Sequence, residues 1–229
     1  GAPHRVGMNQ YGAKGRADTG QGRDDILKAY YQNFDITKWE NINIKVQGQG
    51  EYPLEEYALR IYEMPEDWPM AALEAQAIAA RSFALAYTNN GAGSICATEA
   101  CQVYKPSNKG GKWEEAVNAT RGWVLIANGK PFSAWYASTS GGYQGSYSAQ
   151  GHTTPGFWDT KSGRSGWTGE AYEEIAGSPW FYKGWYRSRS GDNCGRAHPW
   201  LNQEEMADIL NAWAVLVKSG QTDDRVMPM

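Results

Sequence analysis

The clearest pattern of hydrophobic and polar positions runs through residues 69–87 and predicts the principal helix. Leu73, Ala77 and Ala80 recur at steps of three and four residues, the spacing of one helical face. Pro69 stands at a first-turn position, where a helix tolerates proline. The many alanines indicate that another element packs closely against this helix.

Four shorter stretches also predict helices. In the first three, apolar side chains fall on one face. The fourth begins at Asn202 with Glu205 three residues later, the arrangement of a capping box. These stretches are residues 24–31, 54–62, 113–119 and 202–218.

Three stretches predict strands. Residues 42–46 alternate strictly between apolar and polar positions. Residues 122–126 and 131–137 are rich in strand-forming side chains, and the Asn128-Gly129 pair between them is a strong hairpin signal.

The region after the hairpin is harder to assign. Residues 138–166 are rich in Ser, Gly and Thr and predict a long ordered loop, a kind of segment that often carries function. Residues 179–190 are dense in aromatic side chains and predict one more strand or hairpin.

Helices and strands follow one another without the regular alternation of a parallel α/β sheet, so the fold class is α+β. We expect a single domain of mixed helices and antiparallel strands, with a C-terminal aromatic-rich extension that ends in a helix. The predicted division is a core over residues 1–150 and an extension packed on it over residues 151–229.

Composition narrows the function classes. The net charge is −3 and no basic run is present, which argues against nucleic-acid binding. The sequence has no stretch of about 18 apolar residues, so it predicts no membrane span. The chain has 11 Trp and 14 Tyr but 5 Phe. Trp and Tyr combine a flat apolar face with a polar group, as carbohydrate sites require.

The cysteines allow two interpretations. Cys96 and Cys101 are close enough to form a small disulfide loop outside the cell, or they supply half of a zinc site. Cys194 is then left over. Of the three histidines, none belongs to a recognisable hydrolase or metalloprotease motif.

Glu63 is the foremost candidate for chemistry. Pro65 and Pro69 stiffen the link that follows it, which fixes the direction of its side chain. Apolar neighbours such as Met64 and Trp68 could desolvate the carboxyl group, raise its pKa and suit it to general acid catalysis. The positive end of a nearby helix would act in the opposite direction.

Two further pairs are candidates. Gln76 and Arg81 lie on the alanine-rich helix, but about 140° apart around its axis, so both cannot face one point. Tyr136 and Ser138 lie on one face of a strand that ends in a Gly turn, where functional residues are often found.

Several of these segments together resemble the stage II sporulation protein D family, with its amidase-modifier branch LytB. The resemblance covers roughly residues 3–150, and the joint occurrence of the motifs is specific to the family. The matching segments are residues 3–13 (PHRVGMNQYGA), residues 26–31 (ILKAYY), residues 54–85 with Glu-Met-Pro and LEAQAIAARSFAL, residues 101–104 (CQVY), residues 116–122 (AVNATRG) and residues 136–142 (YASTSGG).

The resemblance implies a lytic transglycosylase that cleaves peptidoglycan glycan strands, preferably after stem peptides have been removed. Glu63 would protonate the glycosidic oxygen and then accept the proton of the muramoyl 6-hydroxyl, which attacks C1. This scheme needs no second carboxylate, unlike the common glycosidase mechanisms. The expected substrate-binding residues are His4, Gln10, Tyr11, Gln76, Arg81, Tyr104, Tyr136 and Ser138.

This chain departs from the family pattern at several positions. The His-containing segment usually closes the domain but here opens the chain, so either the order is permuted or the sequence begins within a longer protein. Some members bind zinc just before Gln-Val-Tyr. Here Ala100 stands where a zinc-binding His often occurs, so we expect a disulfide between Cys96 and Cys101, with no metal and no cofactor.

The expected partners are peptidoglycan glycan strands and a cell-wall amidase, without nucleic acid and without a membrane span in this chain. We expect an extracellular or envelope location, with any export signal outside these 229 residues. Two other functions stay open: a non-catalytic glycan-binding module that activates an amidase, and a hydrolase that uses Glu63 with Glu66 or Asp67.

Overall fold

The fold is that of a computed structural model. The structure describes residues 4–167, 169–181, 206–207 and 209–211. Residues 1–185 form one compact unit and residues 186–229 a second. Within the part of the chain so described, no helix has both the length and the apolar character needed to cross a bilayer.

Helices and strands of both pairing directions confirm the α+β class. The helices are α1 (Gln10–Asp18), α2 (Arg23–Tyr31), α3 (Leu54–Ala58), α4 (Met70–Tyr87), α5 (Gly111–Ala119) and α6 (Tyr172–Ile175), with a 3-10 turn at Gly163–Gly166. The strands are β1 (Met8–Asn9), β2 (Asp35–Lys38), β3 (Asn43–Val46), β4 (Gly50–Pro53), β5 (Ser94–Ile95), β6 (Trp123–Ala127), β7 (Lys130–Pro131), β8 (Tyr136–Ala137), β9 (Tyr143–Gln144), β10 (Tyr147–Ala149), β11 (His152–Thr154) and β12 (Phe157–Trp158).

Helix α4 is the centre of the core and confirms the strongest sequence prediction. It packs against α1, α2, α5 and β6 and is buried on nearly every side. Its alanines allow these neighbours to approach closely, because a methyl group is the smallest side chain that still favours a helix. The helix therefore forms a rigid support for the residues on either side of it.

Two three-stranded sheets flank this helix. One has the order β2-β6-β7 and is antiparallel, and its β6–β7 hairpin turns at Asn128-Gly129 as predicted. Both turn residues have a positive φ, which Asn and Gly tolerate best. The other sheet has the order β4-β3-β5, and β3 matches the alternating stretch at residues 42–46.

Several predicted elements need correction. The helix predicted over residues 54–62 ends at Ala58. The strand predicted over residues 131–137 divides into β7 and β8, and β8 pairs in parallel with β1. Residues 138–166 are not simply a loop, because they contain four short strands and the 3-10 turn. Helix α1 was not predicted.

The C-terminal predictions are only partly covered. Of the strand or hairpin predicted at residues 179–190, residues 182–190 lie outside the described residues. Of the helix predicted at residues 202–218, the described residues 206–207 and 209–211 are helical, whereas Asn202 and Glu205 lie outside them.

A buried ion pair attaches the segment after residue 150 to α1. Asp159 is fully buried and accepts hydrogen bonds from Nε and Nη2 of Arg16 at 3.0 and 2.7 Å. The hydroxyl of Tyr30 donates to the other carboxylate oxygen at 2.6 Å. Residues around Asp159 therefore help to complete the core of the first unit. The division after residue 150 stays a prediction.

Candidate active site

A cleft of about 540 Å³ opens over Glu63. Three parts of the chain supply its walls: the N-terminal segment, the end of α4 with the loop after it, and the strand end at β8. The lining residues are His4, Gln10, Glu63, Phe83, Tyr87, Glu99, Ala100, Cys101, Val103, Ser133, Trp135, Tyr136, Ala137 and Ser138.

Glu63 lies in the short link between α3 and α4, and its position is fixed by the segment that contains Val103. The amide of Tyr62 donates to the carbonyl of Val103 at 2.7 Å, and the amide of Val103 donates to Oε1 of Glu63, also at 2.7 Å. Nζ of Lys109 donates to the carbonyl of Met64. Hydrogen bonds therefore fix the backbone of both neighbours of Glu63, Tyr62 and Met64, as well as its carboxyl group.

The surroundings of Glu63 raise the pKa of its carboxyl group. Burial is the main cause, because a buried carboxylate loses its hydration. Hydrogen bonds from the Val103 amide, Gln10 and Tyr136 favour the ionised form and oppose this effect, while the nearby Glu99 carboxylate reinforces it. The net result is a carboxyl group suited to carry a proton, which the sequence predicted from its apolar neighbours.

Tyr136 reaches Glu63 from the other wall. Its hydroxyl donates to Oε1 of Glu63 at 3.4 Å. The bonds from Val103 and Tyr136 therefore end on the same oxygen, and Oε2 is tied to neither donor. Ser138 also lines the cleft, so the structure brings these two predicted residues together with Glu63.

His4 closes one end of the cleft. Its Nε2 lies 3.1 Å from the carbonyl oxygen of Tyr136, and its ring contacts the edge of Trp135 with 4.9 Å between centroids. Desolvation lowers the pKa of the imidazole, which favours its neutral form. In that form the ring can still donate one hydrogen bond.

Gln10 and Gln76 form a chain that begins in the cleft and ends in the core. Gln10 lines the cleft, and its Nε2 donates to Oε1 of Gln76 at 3.3 Å. Gln76 itself is fully buried. The prediction that Gln76 binds substrate is therefore corrected: it supports Gln10 from behind.

Arg81 is also misassigned by the sequence. Its guanidinium is fully buried and donates to Glu55 at 2.6 Å and to the carbonyl of Val117 at 2.8 Å. A cation so enclosed is a structural link between α3, α4 and α5. The predicted 140° separation from Gln76 is consistent with these different surroundings.

Tyr104 and Tyr11 lie beside the cleft without lining it. Tyr104 stacks on Tyr57 with 5.8 Å between ring centroids, and Tyr11 packs edge-on against Trp68 at 4.8 Å. Both support neighbouring elements through ring contacts, so the structure does not place them as direct substrate contacts.

Sequence reasoning missed the aromatic walls. Phe83 and Tyr87 lie one turn apart at the end of α4, and Trp135 precedes Tyr136. Tyr87 is 49% exposed and Trp135 41%, unusually open for such large rings. The four-residue spacing of Phe83 and Tyr87 was the available signal. Glu99 was also missed as a lining residue.

A disulfide joins Cys96 and Cys101, with 5.8 Å between their Cα atoms. Both sulphurs are therefore bonded to each other and are not free to hold zinc as thiolates. In the described part of the chain, no group of three or more His, Cys, Asp or Glu could hold a metal ion. The bridge closes the loop that leads directly into Gln102 and Val103.

The part of the chain that contains Glu63 is similar in sequence to known proteins. Residues 44–126 match the SpoIID family model, described as Stage II sporulation protein. The chain is 36% identical over 110 residues to the amidase enhancer of Bacillus subtilis (strain 168). This alignment covers 46% of this chain and 15% of that protein.

Two sporulation proteins are similar over a longer stretch. Identity is 35% over 142 residues to stage II sporulation protein D of Bacillus subtilis (strain 168), and 33% over 145 residues to that of Bacillus amyloliquefaciens. These alignments cover 53% and 54% of this chain, and 41% and 42% of the relatives. The chain thus matches less than half the length of each of these three relatives.

Proposed function

The chain belongs to the SpoIID family, and from this premise we propose that it is a lytic transglycosylase that cleaves peptidoglycan glycan strands. One observation carries the proposal. Glu63 offers a partly buried carboxyl group of raised pKa within an aromatic-lined cleft.

In the first step Glu63 acts as the general acid. A raised pKa keeps a larger fraction of the carboxyl groups protonated near neutral pH, where an ordinary Glu is ionised. Val103 and Tyr136 both donate to Oε1, so we assign the transferred proton to Oε2, with Gln10 as a further donor to the carboxyl group. That proton passes to the glycosidic oxygen as its bond to C1 of the muramoyl sugar breaks.

In the second step the same group acts as the general base. The Glu63 carboxylate accepts the proton of the muramoyl 6-hydroxyl, and that oxygen forms a bond to C1. The product is a 1,6-anhydro sugar, and Glu63 regains its proton. No water is consumed, so the atoms balance with one ionisable side chain.

The walls of the cleft are suited to sugars. Phe83, Tyr87 and Trp135 present flat apolar surfaces, while Gln10 and Ser138 present hydrogen-bonding groups. Sugar rings combine an apolar face with polar edges, and mixed walls of this kind can contact both. We propose glycan without stem peptides as the substrate.

A second candidate function is activation of a cell-wall amidase. It is favoured by the similarity to a protein named amidase enhancer. In this alternative the cleft binds glycan and Glu63 is dispensable. Catalysis and binding can therefore be separated by changing the carboxyl group alone.

A two-carboxylate hydrolase is less well supported. Glu66 and Asp67 are both exposed and neither lines the cleft. Glu99 is the second carboxylate that does line it, so a hydrolase would have to use Glu99. Water would then add to C1 and leave a reducing end.

The test is mass spectrometry of peptide-free glycan strands after incubation with wild type, Glu63→Gln and Glu99→Gln. The proposal predicts anhydro products, lighter than hydrolysis products by one water, from wild type and Glu99→Gln but not from Glu63→Gln. Reducing ends would indicate the hydrolase. Absence of cleavage with retained glycan binding would favour the amidase activator.

We also propose an extracellular or envelope location. The Cys96–Cys101 disulfide supports it, because such bonds persist mainly in oxidising compartments. The proposed substrate lies in the same compartment.

A further inference from the structure

Gln102 has a buried side-chain amide with a defined set of partners. Tyr57 donates its hydroxyl proton to Oε1. Nε2 donates to the carbonyl of Ala80 at 3.2 Å and to the hydroxyl oxygen of Tyr136 at 2.6 Å. The side chain is only 1% exposed, so these partners replace water.

The orientation of this amide is fixed by Ala80. If the amide turned over, Oε1 would face the Ala80 carbonyl oxygen, and two acceptors would oppose each other without a proton between them. Burial makes such an unsatisfied contact costly. Nε2 of Gln102 must therefore point at Tyr136.

This orientation determines where the proton of Tyr136 goes. A phenol has one proton, and the Tyr136 oxygen already accepts from Gln102. The proton must point elsewhere, and Oε1 of Glu63 lies 3.4 Å away as its acceptor. Catalytic hydrogen bonds that are long in a free enzyme commonly shorten when substrate is bound.

We propose that Gln102 is a positioning residue that directs the Tyr136 proton onto Glu63 through the ordered chain Tyr57, Gln102, Tyr136, Glu63. Each hydroxyl or amide in the chain donates towards the carboxyl group. The chain makes Oε1 of Glu63 the oxygen that accepts the Tyr136 proton. The catalytic meaning of this arrangement rests on the proposed function, whereas the hydrogen-bond chain itself does not.

The variants used to test this leave in place the other ionisable groups near Glu63. Glu99 and Lys109 act on its charge, and both lie on the segment after Cys96. Among the described residues, the ionisable groups that act on the carboxyl group or line the cleft beside it include Tyr57, Tyr136, Glu99, Lys109 and His4.

The first experiment measures the pKa of Glu63 by carbon-13 NMR of its carboxyl carbon, assigned with Glu63→Gln. Tyr136→Phe removes the last donor in the chain and should raise this pKa by about one unit or less. Gln102→Met keeps the size of the side chain and should raise it in the same direction. In the Tyr136→Phe background, Gln102→Met should have no further effect.

Two results would overturn the proposal. One is an unchanged pKa in Gln102→Met that folds normally. The other is an equal shift in both backgrounds, because Gln102 would then act on Glu63 without Tyr136.

A second measurement does not require Gln102 to be changed, in case Gln102→Met does not fold. The nitrogen-15 signals of the Gln102 side-chain amide should titrate with the pKa of Glu63. This titration should disappear in Tyr136→Phe and persist in Tyr30→Phe, which removes a buried tyrosine hydroxyl that does not line the cleft. Titration that survives in Tyr136→Phe would exclude the chain.

These measurements need no substrate, so they separate the two proposals. Coupling in the NMR titrations without glycan cleavage would retain the chain and reject the transglycosylase. Cleavage by wild type with uncoupled titrations would do the reverse. If both hold, the alkaline limb of the kcat/KM profile, where Glu63 loses its proton, should move to higher pH in Gln102→Met and stay in place in Tyr30→Phe.

Discussion

Asn9 donates a hydrogen bond from Nδ2 to Oε2 of Glu173 at 2.7 Å, which joins two residues 164 positions apart in the chain. The other side-chain atom of Asn9, Oδ1, accepts from the amide of Gly12 and caps α1. The amides of Ser140 and Gly141 also donate to Oε2 of Glu173, each at 3.0 Å. Glu173 thus holds both the start of α1 and the turn that follows Ser138 in the cleft wall.

We predict that two substitutions of Glu173 differ strongly in their cost to stability. Glu173→Ala would leave several buried donors without an acceptor and should cost about 3 kcal/mol or more of the free energy of unfolding. Glu173→Gln should cost little, because its amide oxygen can replace Oε2. Its amide nitrogen would face the hydroxyls of Thr139 and Ser178, which can accept hydrogen bonds.

Urea unfolding at several pH values would test this pair. Burial raises the pKa of Glu173, so its ionisation disfavours the folded state as the pH rises through that raised value. Any stability gain in Glu173→Gln should therefore be present at pH 7 and vanish below about pH 4. Equal losses in both variants would show that the negative charge itself is required.

Ionisation of Glu63, like that of Glu173, should lower the free energy of unfolding. Its pKa is raised in the folded state, so the contribution of this carboxyl to stability is greatest below the unfolded-state pKa and is lost as the pH rises. At pH 7, Glu63→Gln should therefore have a free energy of unfolding higher than wild type by on the order of 1 kcal/mol, and a higher unfolding temperature, while losing glycan cleavage. Thermal unfolding should show this gain disappearing below about pH 4.

Glu66→Gln is the matched control for that experiment. Glu66 lies three positions away, is exposed and does not line the cleft. Its substitution should change neither the unfolding temperature nor the cleavage rate. A destabilised Glu63→Gln would mean that the carboxylate is held favourably, and the acid role would lose its physical basis.

Trp135 should contribute to substrate affinity. Trp135→Ala removes the exposed indole that lines the cleft and should raise KM roughly tenfold with a smaller change in kcat. Trp180→Ala removes an indole of similar exposure, 39%, outside the set of cleft-lining residues. Steady-state kinetics on peptide-free glycan should separate the two, and an equal effect would exclude a specific role for the Trp135 ring.

Arg81 should affect stability without affecting substrate affinity. Arg81→Met would leave Glu55 part-buried without its cation and should cost about 3–5 kcal/mol, measured by urea unfolding. KM for glycan should be unchanged in the fraction that folds. Double substitution with Glu55→Gln should restore part of the lost stability, and an increase in KM with normal stability would reinstate Arg81 as a substrate contact.

The sequence predicted those parts of the fold and site whose causes are local. Helix α4 follows from its periodicity, and Glu63 from its apolar and proline-rich neighbours. The Val103 amide that fixes Glu63 comes from 40 positions away, and no local pattern reveals it. Arg81 was misjudged for the same reason, because its partner Glu55 is 26 positions distant.

Helix α1 was missed because its glycines imitate a loop. A Cβ atom at Gly12 would lie 2.2 Å from the hydroxyl of Tyr30, and one at Gly15 would lie 1.8 Å from the carbonyl oxygen of Tyr172. These glycines are required for close approach of other elements, not for flexibility. Such a requirement is visible only when the partners are in place.

The Cys96–Cys101 bridge gives the cleft a dependence on its chemical surroundings. It closes the loop whose next residues, Gln102 and Val103, hold the Tyr136 hydroxyl and Glu63. Under reducing conditions those two residues would lack this covalent support. We expect the proposed glycan cleavage to depend on oxidation of these two cysteines.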